Sequence, residues 1–132
     1  MIETYASFFE TLSPKFEEGA FKAVFDPDAL FADPFQRVHG VQSIINVFRH
    51  MYASLENPRF EIIESIGDAE KGYIRWRFHY NDSSFEGVSH VRFGRDGKVL
   101  SHIDYWDAAS NVYEKLPVLG SVLRWLKRKF SV

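Results

Sequence analysis

The chain has no cysteine, and that absence removes a good deal of chemistry at once. Disulfides, thiolate nucleophiles, Cys-type zinc sites and iron–sulfur clusters are all excluded. Long apolar runs are missing too, since no stretch approaches the ~20 residues that span a bilayer. The amino terminus, Met1-Ile2-Glu3-Thr4, puts an acid where a secretory signal carries positive charge, so the expectation is a cytoplasmic protein. The sequon Asn81-Asp82-Ser83 then reads as a turn. A large excess of one charge is also absent. The net charge of −2 argues against non-specific nucleic-acid binding, and no nucleic-acid partner is expected. His39, His50, His79 and His90 are scattered without ligand spacing, so neither a metal nor another cofactor is expected. Glycine-rich phosphate loops and a Gly-x-Ser-x-Gly elbow are missing, and Gly94-Arg95-Asp96-Gly97 reads as a hairpin turn.

What is present is aromatic. Aromatic residues make up 17% of the 132 positions, and 13 of them are Phe. Phe lines cavities as readily as it fills cores, so a packed core and a pocket are both open readings. The length is that of one domain, able to bury a core without staples. Charge is uneven along it. Residues 115–132 carry Lys115, Arg124, Lys127, Arg128 and Lys129 and no acid, which leaves −7 on residues 1–114.

Apolar periodicity divides the chain. Ile2, Tyr5, Phe8, Phe9 and Leu12 recur at helical spacing. Ser13-Pro14 breaks that pattern and opens a second short helix through Phe16, Ala20, Phe21 and Val24, which Asp26-Pro27-Asp28 stops. Residues 29–33 read as a short extended piece with Phe31 and Asp33 on one side. After Gly40, the stripe Val41, Ile44, Ile45, Phe48, Met51, Tyr52 and Leu55 predicts a long helix closed by Asn57-Pro58. The period then changes to two, with strands over 59–66, 73–81, 85–93 and 98–106 separated by turn formers. Such strands make an antiparallel meander.

Strand 73–81 is large on both faces, with Ile74, Trp76, Phe78 and Tyr80 on one and Tyr73, Arg75, Arg77 and His79 on the other. The last strand splits His102, Asp104 and Trp106 from Ile103 and Tyr105. A sheet covered twice is implied, by its own helices and by a second subunit, so a homodimer is expected. Asp107 is a natural helix N-cap. Beyond Pro117, residues 118–130 form an amphipathic stripe of Val118, Leu119, Val122, Leu123, Leu126 and Phe130. The apolar stripe caps a pocket mouth or a dimer groove, or it docks on an anionic membrane through its basic flank. The expectation is thus a single α+β domain over 1–132, with a C-terminal helical extension over 108–132.

This element order, together with Ala29-Leu30-Phe31-Ala32-Asp33-Pro34-Phe35, the Gly40 that opens the long helix, and Asp104-Tyr105-Trp106-Asp107, resembles the NTF2-like superfamily in its SnoaL-like and ketosteroid isomerase-like branch. The resemblance implies a cone, a curved antiparallel sheet wrapped around N-terminal helices with a pocket open at one end, and dimerisation through the convex face. In the ketosteroid isomerases, Asp33 would fall at the general base. The oxyanion donors would fall at Phe9 and Ser89, and a supporting tyrosine near Phe48. Phe at the first and last of those places cannot stabilise a dienolate, so steroid isomerisation itself is not expected. In the SnoaL-like cyclases the base lies on the final strand beside a histidine, where this chain has Asp104 and His102.

Asp33 and Asp104 are therefore both candidate bases, with His102 beside the second. Each has a plainer reading, as a turn former and as a strand carboxylate satisfied by its neighbours. The expected pocket lining is Phe9, Phe31, Phe48, Tyr52, Trp76, Phe78, Ser89 and Trp106. The expected ligand is a small, mainly apolar molecule, lipid-, steroid- or polyketide-like, handled with or without acid/base chemistry. A protein or membrane interaction domain that works through the basic C-terminal helix is the alternative.

Overall fold

A computed structural model describes residues 1–108; the helical extension and the amphipathic stripe expected over 118–130 lie outside them. Helix α1 (Ile2–Glu10) buries Ile2, Tyr5, Ala6 and Phe9, one face at a spacing of three and four residues. It does not lead straight into a second helix at Pro14. Ser13 instead closes a turn, with its carbonyl accepting from the Phe16 N–H at 3.0 Å and its hydroxyl from the Lys15 N–H at 3.3 Å. Helix α2 (Glu18–Val24) begins only beyond that turn.

Strand β1 (Phe25–Ala32) starts four residues earlier than its sequence pattern suggests. Asp26-Pro27-Asp28 lies inside it rather than stopping the chain. The register against its neighbour shifts between Phe25 and Leu30, the stretch where Pro27 has no N–H to give a ladder. The three-residue strand β2 (Arg37–His39) pairs back on β1 and is too short to leave a periodic signal. Gly40, at φ 92°, adopts a conformation that disfavours side chains and lets α3 (Val41–Ser54) start at once.

Strands β3 (Arg59–Gly67), β4 (Lys71–Tyr80), β5 (Ser83–Phe93) and β6 (Val99–Tyr105) form the expected meander. The sheet runs β2-β1-β6-β5-β4-β3. Every pairing is antiparallel except that of β1 with β6, which is parallel and brings the N-terminal third beside the last strand. A bulge between Ile62 and Glu64 in β3 bends the sheet. Its concave side closes on the helices around Phe21, Phe25, Ile44, Ile45, Ile74, Val91 and Val99, each essentially fully buried. The result is the curved sheet around N-terminal helices implied by the resemblance.

Alternation along β4 is obeyed. Ile74, Trp76 and Phe78 are buried, while Tyr73 and Arg75 are exposed on the convex side. That side carries a charged ladder, in which Arg75 and Arg77 both reach Glu86 at 3.3 and 3.2 Å and His79 meets Glu61 at 2.8 Å. Beside it lie the exposed apolar groups Ile66, Tyr73, Val88 and Tyr105. No helix among the described residues is long and apolar enough to cross a membrane.

Candidate active site

A cavity of about 380 Å³ opens between α3 and the concave face of the sheet. Its walls are aromatic: Phe31 from β1, Phe48 from α3, Phe60 from β3, Phe78 from β4, Phe85 from β5, and Trp106 just past β6. Phe85 and Trp106 stack with ring centroids 4.3 Å apart, and Phe60 meets Phe78 at 4.8 Å. The polar groups that line it include Asp33, Gln36, His50, Ser54 and Asp104.

Behind the wall runs a continuous chain of polar side chains through an otherwise apolar core. Trp76 Nε1 lies 2.8 Å from Ser89 Oγ, Ser89 Oγ bonds Asp104 Oδ1, His102 Nε2 lies 2.7 Å from the same Oδ1, and Tyr5 Oη lies 2.7 Å from His102 Nδ1. The protons can be placed by elimination. An indole N–H only donates, so Ser89 oxygen accepts from Trp76 and spends its own proton on Asp104. Burial first, and then the nearby Asp104 charge, push the Tyr5 hydroxyl well above its ordinary value of 10, so Tyr5 stays protonated and donates to Nδ1. The remaining ring proton sits on Nε2 and goes to Asp104. No buried side-chain polar atom among the described residues is left without a partner.

The outcome is an oriented carboxylate. Oδ1 receives two donors from the core side, and Oδ2 has no hydrogen-bond partner among the described residues. The Asp104 side chain is 12% exposed, against 4% for His102, and only Asp104 reaches the cavity lining. His102 stacks on Phe31, with centroids 5.0 Å apart, and holds the carboxylate from behind.

Asp33 also lines the cavity, but not as a desolvated acid in apolar surroundings. Its Oδ1 accepts from the Phe35 and Gln36 N–H groups at 2.8 and 3.0 Å, and Oδ2 accepts from Gln36 Nε2 at 2.9 Å. Both oxygens hold the turn from β1 into β2, as Asp does in an Asx turn.

Of the expected lining, Phe31, Phe48, Phe78 and Trp106 are in place and four residues are not. Phe9 lies in the layer behind, against Phe48 and Phe60. Tyr52 turns away to Phe16, and its half-buried hydroxyl is pushed up to about 12 by desolvation. Trp76 and Ser89 are committed to the polar chain. Phe60 and Phe85, not anticipated, sit on inward positions of β3 and β5 that simple alternation would have identified. Tyr5 was also missed. It lies one helical turn before Phe9 on the same face of α1, so a donor does come from that helix, four residues from where the resemblance places it.

A model of the SnoaL-like domain family matches residues 5–102. No curated protein matches the chain. Among solved structures, a candidate polyketide cyclase from Sinorhizobium meliloti is similar at 20% identity and TM-score 0.68, over 80% of this chain and 95% of that one. A Catenulispora acidiphila protein with a ketosteroid isomerase-like fold, solved in complex with trimethylamine, is similar at 16% identity and TM-score 0.67, over 83% and 87%. A candidate SnoaL-like polyketide cyclase from Jannaschia has 11% identity and TM-score 0.67, over 82% and 85%.

Proposed function

The chain belongs to the SnoaL-like domain family, and from that premise we propose that its cavity binds a small, mainly apolar molecule and that Asp104 moves a proton on it without a cofactor. The observation that carries this reading is the asymmetry of the Asp104 carboxylate, which lines the cavity with one oxygen held by Ser89 and His102 and the other without a partner among the described residues. A general base needs a fixed lone pair within reach of the substrate and little competing water. The Phe and Trp walls supply the second condition. Isomerisation and cyclisation both fit, because in each a proton is taken from one atom and returned to another.

The test is exchange of carbon-bound hydrogen with D₂O, followed by NMR over a panel of apolar carbonyl compounds, polyketide-like diketones included. Any exchange catalysed by the wild type should fall about 10²–10⁴-fold in Asp104→Asn, the usual contribution of a positioned base. It should survive within a few-fold in Asp33→Asn, whose role here is the turn. Full activity in Asp104→Asn, or its loss in Asp33→Asn alone, would overturn the assignment. A ligand that co-purifies with a chain inert on every panel member would favour binding without chemistry.

We also propose that the convex face pairs with a second copy of the chain. Tyr73 and Tyr105 are 48% and 60% exposed there, with Ile66 and Val88 beside them. A stable interface of this kind buries upwards of ~1,200 Å² in total. Light scattering at micromolar concentration should return twice the 15.4 kDa chain mass, and Tyr73→Glu should return the monomer. A wild-type monomer under those conditions sinks the idea.

A further inference from the structure

The charge and the rings of the cavity wall select the sign of the ligand's charge. We infer that the cavity takes an organic cation, an apolar body carrying an ammonium group, and refuses anions. This rests on the reading that the cavity is a binding site, and it needs no proton transfer.

Two carboxylates, Asp33 and Asp104, line the space, and no lysine or arginine does so among the described residues. Among the described residues its imidazole is that of His50, within reach of Ser54 at 3.4 Å. The nearby Arg49 is taken up elsewhere, over the Phe16 ring at 4.6 Å and against Glu18 at 3.5 Å. An uncharged hydrocarbon filling the cavity would strip water from Asp104 Oδ2 and give nothing back, and desolvation of an unpaired carboxylate is costly. An anion would add repulsion from both acids. An alkylammonium offsets the lost hydration at Asp104 while its methyl groups pack on the walls.

The walls favour the same occupant. An aromatic ring is negative over its face, and a cation within about 6 Å of a centroid is attracted to it, most strongly at Trp. Phe31, Phe48, Phe60, Phe78, Phe85 and Trp106 surround the space from six different parts of the chain. A quaternary ammonium among several rings with a carboxylate at one side has complementary partners on every side.

Choline and its carbon isostere 3,3-dimethylbutan-1-ol differ in charge at nearly constant shape, and 3,3-dimethylbutanoate supplies the anion. Binding is read by NMR titration of the Trp106 indole resonance. Choline should bind at least tenfold tighter than the alcohol, the butanoate should not bind, and Asp104→Asn should lower the choline preference several-fold, weakening choline while the alcohol, relieved of the carboxylate's desolvation, binds no more weakly than before. If the alcohol binds as tightly as choline at the same resonance, the charge inference falls and the cavity reading stands. If no probe perturbs Trp106, both fall.

Discussion

Replacing His102 with leucine should lower stability by about 3 kcal/mol, and adding Tyr5→Phe to that variant should restore part of the loss. Leucine leaves the Tyr5 hydroxyl buried with no acceptor and takes one of two donors from Asp104. Orphaning a buried polar group costs about 1–3 kcal/mol, and the stacking contact on Phe31 is lost as well. In a domain of this size the change should lower the melting temperature by roughly 10 °C. In the double variant the stranded hydroxyl is gone, so the two effects should fall short of additivity by at least ~1 kcal/mol. Strict additivity in urea melts would mean that Tyr5 and His102 are not energetically linked.

The same pair predicts a pH dependence. A tyrosine whose folded value lies above 10 loses its proton in the unfolded chain first. Above pH 10 the folded state therefore holds more protons than the unfolded state, and stability declines as pH rises. Below pH 10 the contribution is intact. Tyr5→Phe should flatten the alkaline decline. Tyr52, pushed up to about 12, contributes to the same limb between pH 10 and 12, and Tyr52→Phe separates its share. An alkaline limb identical in wild type and Tyr5→Phe would place the Tyr5 hydroxyl in water.

The strands and the long helix were legible because their signals are periodic and local. Burial along β4 alternates as the residue types do, and α3 ends within one residue of its stripe. Strand β1 was harder, because its start at Phe25 pairs only with Val99 of β6, far along the chain. A proline that reads locally as a stop is tolerated where that ladder is interrupted. The site divides along the same line. His102 and Asp104 stand two apart on one strand, so alternation alone puts them on one face. Tyr5, Ser89 and Trp76 come from three other elements, and only the closed sheet brings them to that carboxylate. Asp33 illustrates a different difficulty. Alternation gives its side correctly, but the side chain's partners are the two residues that follow Pro34, and an Asx turn of that kind competes with any outward role for the carboxylate.

Gly87→Ala should be among the most disruptive single-methyl additions in the protein, with a loss of about 3 kcal/mol. The reason is space rather than backbone conformation. Gly87 faces Trp76 across the β4–β5 ladder, and the ring occupies the place of the missing side chain. A Cβ there would stand 2.4 and 2.5 Å from Trp76 Cη2 and Cζ2, and 3.1 Å from Trp106 Cβ. The Trp76 ring has little room to yield. Its N–H is fixed on Ser89, and Phe60 and Phe85 pack edge-on against it. Overpacking a filled core typically costs about 1–3 kcal/mol. Displacing the indole adds the loss of its bond to Ser89, and with it a support of the Asp104 carboxylate. Two readouts should therefore move together, the melting temperature by roughly 10 °C and the Trp76 indole N–H resonance. Gly19→Ala is the control, because a Cβ there meets nothing within 4 Å and an alanine in α2 should gain up to ~1 kcal/mol. If Gly87→Ala melts with the wild type, the Trp76 ring is free to move, and the chain from Trp76 to Asp104 does not hold the carboxylate in place.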